Sequence, residues 1–309
     1  MKIAIDSGSA CTRGKTGISW YTWNLIHNLA KIDKRNLYIL YDISSRIRKT
    51  YKMFDSTLPC QKNFRKKVYP FHSSLVRKLM PVTFLTSKTD ILHMPEQRLS
   101  PVFNTKKIVT VHDIIPWLEI YTDVKWMKID SQKRRTQRKH IQQSVLKSYK
   151  IIAVSEHTKN DIVKYFSVNP SKISVTYLGV NEIFYPRGKD ESILHKYKIS
   201  KKFIACSAAA CPRKNIRKLL IGFEKIKKTH NCQLVMFGRI SNKSSWCEVY
   251  NNLPSNIKQD IVFTGYVSSD DLSCLYSGAE FFIYPSLYEG FGLPPLEAMA
   301  CGCPVITSN

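Results

Sequence analysis

Short β-branched runs alternate with turns and polar or helical stretches from one end of this chain to the other, and that alternation constrains the fold more than any other feature. Each run is too short to be a buried helix, and parallel strands need a crossover between them, so the pattern specifies an α/β architecture. Lys2–Asp6 reads as the first strand, followed by a Gly/Ser loop. A helix then carries Ile18, Tyr21, Leu25, Leu29 and Ile32 on one 3.6-residue face. Further strands are expected at Leu37–Tyr41, Asp90–His93, Lys107–Val111, Ile151–Val154 and Lys172–Tyr177. The stretch Leu178–Ser200 breaks the periodicity with Gly179, Pro186, Arg187, Gly188 and Lys189. A second series follows: strands at Phe203–Ala208, Gln233–Phe237, Ile261–Phe263, Phe281–Tyr284 and Val305–Thr307, and a helical face of Ile216, Leu219, Leu220, Phe223 and Ile226. The 309 residues therefore divide into a first domain over 1–185, a linker over 186–200 and a second domain over 201–309.

Charge narrows the class of partner. Lys and Arg number 48 against 23 Asp and Glu, a formal net charge of +25, which favours an acidic partner: anionic lipid, a phosphorylated substrate or nucleic acid. The cations crowd into Lys62, Arg65, Lys66 and Lys67 and into Lys133, Arg134, Arg135, Arg138 and Lys139. Both runs read as solvated helix faces or as a patch for anionic headgroups at the inner membrane surface. No binding module or interleaved aromatic platform accompanies them, which argues against nucleic acid. The nine cysteines are scattered without a C-x-x-C pair, and no apolar run approaches the roughly 18 residues of a membrane span. Met1–Asp6 is a strand rather than a leader, so the expectation is a cytoplasmic protein with reduced thiols.

Gly8-Ser-Ala-Cys-Thr-Arg-Gly14-Lys15-Thr16 lies between strand and helix, as a P-loop would, but five residues separate its glycines where the phosphate-wrapping loop needs four. A Gly-rich turn closing the first strand of a Rossmann-like domain explains the same residues.

The most informative segment is Tyr284-Pro-Ser-Leu-Tyr-Glu289-Gly-Phe-Gly-Leu-Pro-Pro-Leu-Glu297-Ala-Met-Ala-Cys-Gly302-Cys-Pro-Val-Ile-Thr307. It reads as strand, glycine loop, short helix and strand, with Pro294 or Pro295 in the first helical turn and Gly302 at the helix end. Gly290 and Gly292 leave backbone amides uncovered beside the helix start, which makes an anion pocket. Glu289 and Glu297 flank that pocket, where carboxylates would repel a diphosphate; they suit neutral hydroxyls instead. A sugar nucleotide carries both kinds of group. Taken singly, Glu297 is a carboxylate near a helix N-terminus and Glu289 a solvated loop residue. A second anion site is expected at Cys211-Pro-Arg213-Lys214-Asn215, with Asn215 as N-cap and two cations near a helix start.

The spacing of Glu289 and Glu297 resembles the Glu-x7-Glu motif of retaining glycosyltransferases with the GT-B fold, and the segment as a whole resembles glycosyltransferase family 4. The resemblance implies two Rossmann-like domains facing across a cleft. By it, Glu289 contacts the donor sugar, Glu297 holds the ribose hydroxyls, and the amides of Gly290, Phe291, Gly292 and Leu293 line the sugar and diphosphate. Pro212–Asn215 matches the family's Pro-Arg-Lys-Asn segment, giving Lys214 the diphosphate. The family's other cation would stand at Ala208, so Arg213 takes its place. His112, at the end of Val109-Thr-Val-His-Asp113, matches the family's His-Asp motif and would face the donor sugar. His93 is read as structural, and a His93–His112 metal pair lacks a third ligand. Ile151–Asp161 resembles another family segment, in which Ser155 can cap the following helix. Of the family's N-terminal glycine loop, near the phosphates and acceptor, only Gly17 matches.

The resemblance implies transfer of a sugar from a nucleotide diphosphate donor to a glycan or lipid-linked acceptor, with retention and without metal or other cofactor. Similarity to bacterial mannosyltransferases of surface polysaccharide assembly favours GDP-mannose. Relatives continue for some tens of residues beyond Thr307-Ser308-Asn309. The second domain is therefore expected to be incomplete, and the alternative is a non-catalytic remnant that binds nucleotide sugar.

Overall fold

The computed structural model describes residues 1–11, 17–44, 58–70, 86–97, 104–118, 131–208, 211–238, 244 and 246–308. The Thr12–Thr16 part of the P-loop look-alike and the side chain of Lys133 lie outside them. The described residues form two compact units that part between Leu178 and Gly179.

The first unit is built on a seven-stranded sheet. Its strands are β1 (Lys2–Asp6), β2 (Leu37–Ser44), β3 (Phe64–Pro70), β4 (Ile91–Met94), β5 (Lys106–Val111), β6 (Lys150–Ala153) and β7 (Ile173–Val175), in the order β3-β2-β1-β4-β5-β6-β7. Every pairing is parallel. Alternate side chains of β2 serve opposite faces. Tyr38 and Leu40 pack with Ile5 and Ile26, whereas Ile39 and Tyr41 pack with Ala4, Leu92 and Met94. Both faces being covered, the strands read as continuous apolar runs rather than as alternating ones.

The second unit carries a five-stranded parallel sheet: β8 (Phe203–Ser207), β9 (Gln233–Phe237), β10 (Ile261–Gly265), β11 (Phe281–Tyr284) and β12 (Val305–Thr307), in the order β10-β9-β8-β11-β12. The same two-residue alternation holds. Phe203, Ala205, Val235 and Phe237 face one core, and Ile204, Cys206, Leu234 and Met236 face the other.

Three expectations need correction. Arg65, Lys66 and Lys67 do not lie on a helix face; they belong to β3, the outermost strand, whose register with β2 runs from Tyr38↔Phe64 to Ser44↔Pro70. Cations on a terminal strand discourage a second chain from pairing there, and they also conceal the strand from a hydrophobicity reading. Residues 186–200 are not a free linker. They include the helix Glu191–Lys196, and Leu194 and Ile199 enter the core of the second unit. Asn215 precedes the helix Ile216–Ile226 in a left-handed conformation (φ 56°) and its side chain makes no capping hydrogen bond.

In the second basic run, Arg134 and Arg138 are spent internally. Both donate to the carbonyl of Pro116, Arg134 also donates to that of Leu118, and Arg138 lies over the Trp117 ring. They fasten the turn Ile115–Trp117 that follows β5. Arg135 and Lys139 remain exposed on the helix Ser131–Lys147. Among the described residues no helix is long and apolar enough to cross a membrane.

Candidate functional site

Ligands of parallel α/β sheets gather beyond the carboxyl ends of the strands. In the second unit, the ends of β8 and β11 bring together Arg213, Lys214, Tyr284, Ser286 and Glu289. Arg213 and Lys214 sit in a tight 3-10 turn, Pro212–Lys214. The Arg213 carbonyl accepts from the Leu287 amide at 2.7 Å, which ties that turn to the loop after β11. Lys214 Nζ donates to Glu289 Oε1 at 2.7 Å, lies 4.2 Å from the centre of the Tyr284 ring and bonds the Tyr284 hydroxyl. Arg213 pairs with the same carboxylate oxygen and donates to the Tyr288 carbonyl at 3.1 Å. Ser286 Oγ adds a third donor to Glu289 Oε1 at 2.7 Å. Only 11% of the Lys214 side chain and 20% of the Glu289 side chain are exposed, so these charges are largely removed from water and depend on one another. Burial alone would raise the Glu289 pKa, but Lys214 and Arg213 outweigh it and hold the carboxyl below its ordinary range. Burial lowers the Lys214 pKa, and the Glu289 charge opposes that drop.

Glu297 is placed differently. It lies on the helix Leu293–Ala300. Its Oε2 accepts from the buried Tyr276 hydroxyl at 3.5 Å, and no ion pair among the described residues involves it. Burial pushes its pKa up to about 7. Gly292 opens the helix at φ 101°, a backbone angle that strains residues with a Cβ. Pro294 and Pro295 have no N–H, and the Leu296 amide bonds the Gly292 carbonyl. The first turn thus offers an anion fewer donors than an ordinary helix start, and Leu293 supplies its remaining amide. Among the described residues, Arg213 and Lys214 bring positive charge to this end of the sheet. The helix closes with Gly302 at φ 77°, the Gly302 amide on Met299 and the Cys303 amide on Ala298, a Schellman ending.

In the first unit, His112 follows β5. Its Nε2 lies 2.9 Å from the Pro95 carbonyl oxygen, which can only accept, so the neutral ring carries its proton on Nε2 and keeps a lone pair on Nδ1. The Tyr21 ring meets it edge to face, with centroids 4.8 Å apart. Burial lowers the His112 pKa, partly offset by the bond to Pro95. Behind it, the buried His93 bonds Thr110 Oγ1 at 2.9 Å, and Thr110 bonds the Tyr21 hydroxyl at 3.1 Å. The His93 pKa is pushed down to about 4 by burial and by the neighbouring His112. Among the described residues no group of three His, Cys, Asp or Glu is placed to hold a metal ion. Ser155 Oγ accepts from the Thr158 amide at 3.0 Å and caps the helix Glu156–Phe166. Gly17 is the first residue of the helix Gly17–Ile32.

Sequence reasoning found Arg213, Lys214 and Glu289 but missed Tyr284 and Ser286, which complete the cluster. Their position gave the available signal: each stands at or just beyond the carboxyl end of an expected strand.

The sequence model described as Glycosyltransferase Family 4 matches residues 16–183. The chain belongs to glycosyltransferase family 4. In this family-4 chain a second model, Glycosyl transferases group 1, matches residues 190–309 and contains the Glu289 cluster. O-antigen chain mannosyltransferase B of Escherichia coli is 31% identical over 210 residues, covering 66% of this chain and 53% of that protein. O-antigen chain mannosyltransferase RfbU of Salmonella typhimurium is 32% identical over 201 residues, covering 65% and 51%. The chain thus spans about half the length of these two curated relatives. Among solved structures, sucrose-phosphate synthase from Thermosynechococcus elongatus matches with a TM-score of 0.70 at 16% identity, over 99% of this chain and 81% of that one. Anabaena HepE in complex with UDP and glucose matches with a TM-score of 0.67 at 16% identity, over 99% and 80%. Two parallel-sheet α/β units and these neighbours identify the fold as GT-B.

Proposed function

We propose that this chain transfers a sugar from a nucleotide diphosphate donor to a hydroxyl of a glycan or lipid-linked acceptor, with retention at the anomeric carbon and mannose as the favoured sugar. The observation that carries the reading is the Arg213–Lys214–Glu289 cluster at the ends of β8 and β11. The mannosyltransferase relatives support the sugar, and the UDP complex of a structural neighbour supports a nucleotide donor.

In this reading the bond between the anomeric carbon and the diphosphate oxygen breaks, and negative charge collects on the leaving group. Arg213, Lys214 and the amides of Gly290, Phe291, Gly292 and Leu293 stabilise that charge where it develops. The acceptor oxygen bonds the anomeric carbon on the face being vacated, and its proton passes to the departing phosphate. Glu289 accepts hydrogen bonds from the sugar and Glu297 from the ribose. His112, held neutral, orients the sugar through its free Nδ1. Gly17 stands at the amide-rich start of its helix as the acceptor-side contact, and Arg135 and Lys139 are the exposed cations for an anionic membrane surface.

A panel of sugar nucleotides scored by thermal shift tests the reading, because a ligand that binds only the folded chain raises its melting temperature. GDP-mannose is expected to give the largest shift and then to support transfer. If no sugar nucleotide shifts the wild-type chain, the reading falls. If one binds without transfer or hydrolysis, the chain is a binding protein.

A further inference from the structure

Glu289 does more in this structure than wait for a sugar. Its Oε1 collects Arg213, Lys214 and Ser286 at once, so the two cations that would meet a diphosphate are already engaged by a carboxylate of the chain itself. Those cations have few other directions open to them. Lys214 is tied to Tyr284 and Arg213 to the Tyr288 carbonyl, and their side chains are only 11% and 19% exposed. An incoming diphosphate competes with Glu289 for the N–H groups that now face it, and a displaced, half-buried carboxylate is costly unless something else donates to it.

We infer that Glu289 is a specificity-determining residue that makes the cation pair select a glycosylated diphosphate over a bare one. The inference rests on the reading of Arg213 and Lys214 as the diphosphate site. A bare diphosphate draws the two cations away from Glu289, leaves it Ser286 alone, and returns nothing. A glycosyl diphosphate draws them away equally, but its sugar hydroxyls then donate to the released carboxylate. Discrimination therefore needs no pocket that senses sugar shape. The same exchange runs backwards after transfer: once the sugar has left, Glu289 loses its hydroxyl partners, reclaims Lys214 and Arg213, and drives out the nucleoside diphosphate. Ser286, which donates to the same oxygen, holds Glu289 in the competing position.

The test is isothermal titration of the full 309-residue chain with inorganic pyrophosphate, GDP and GDP-mannose. Loss of one charge-assisted competitor should tighten pyrophosphate and GDP about tenfold in Glu289→Gln, since such a hydrogen bond is worth roughly 1.5 kcal/mol or more. The same variant should bind GDP-mannose no tighter than GDP, which removes the preference. Ser286→Ala, which keeps all three charges, should tighten pyrophosphate by a smaller factor of about two to five, a fraction of one hydrogen bond. It serves as the second reading if Glu289→Gln proves unstable by circular dichroism. Folded variants that bind pyrophosphate no better than wild type overturn the inference and leave the diphosphate site standing. If Lys214→Ala binds pyrophosphate as well as wild type does, the site itself is wrong, and that separate outcome sinks the functional reading.

Discussion

Two strand ends of this molecule hold buried titratable side chains in opposite electrostatic settings. Beyond β5 stands a neutral imidazole, kept uncharged by burial and oriented by a single carbonyl. Beyond β11 stands a carboxylate between two cations, kept charged against burial by its neighbours. The first can accept a hydrogen bond as it is. The second must be rearranged before it can act. A rigid neutral group suits the orientation of a sugar, whereas exchangeable charges suit a ligand whose own charge changes during reaction.

The largest expected effect lies at the charged end. Lys214→Ala should lower turnover by about 100- to 1000-fold, the usual cost of losing one donor aimed at developing charge. A wild-type rate for that variant would remove the difference between the two ends. At the neutral end, His112→Ala should cost less, about 10- to 100-fold, because it removes orientation rather than charge. His112→Gln, which retains a hydrogen-bonding group, should recover part of that loss.

The third prediction sets the two carboxylates of one segment against each other. Glu297, with a pKa near 7, is protonated in mild acid and accepts poorly. Donor affinity should therefore rise between pH 6 and pH 8, and Glu297→Gln should flatten that rise in titrations at several pH values. Folding stability runs the other way for this group. A raised native pKa means the native state holds the proton longer, so its contribution is present at low pH and is lost as pH climbs through about 7. Glu289, whose pKa is lowered, contributes above its unfolded pKa and loses that contribution as pH falls through its native value. Denaturant melts of Glu297→Gln and Glu289→Gln across pH should show slopes changed in opposite senses.

The smallest effects concern how the two units begin their helices. Ser155 caps its helix through a side-chain bond, and Ser155→Ala should cost about 1 kcal/mol in urea unfolding. Asn215 makes no such bond and lies at φ 56°, so Asn215→Gly should change stability by only a few tenths of a kcal/mol. Equal losses at both positions would show that the comparison of caps is mistaken.

How much of this was legible follows from what each residue type can signal. Strands such as Gln233–Phe237 and Phe281–Tyr284 were bounded correctly because both of their faces pack into cores and, Gln233 apart, their sequences are apolar or aromatic. β3 escaped because a terminal strand has one open edge and can carry Arg65, Lys66 and Lys67 without breaking its pairing. The stretch 186–200 looked like a tether from its glycine, proline and charges, but two apolar side chains, Leu194 and Ile199, were enough to anchor it. Glu289 and Glu297 were recognised by spacing. Their contrasting pKa shifts were not, because Glu289 depends on cations delivered from Pro212–Lys214, some 75 residues earlier in the chain, and Glu297 on burial in the folded unit. Tyr284 was missed for the same reason, since its partner Lys214 comes from far away in the sequence, whereas Ser286 lies three residues from its partner Glu289 and only its place beyond a strand end marked it.

Because the strands of each sheet all point the same way, their carboxyl ends line one rim of that sheet. An engineer seeking a new sugar or acceptor would graft there, leaving the opposite rim, with its buried Asp260–Lys227 pair, as the untouched foundation.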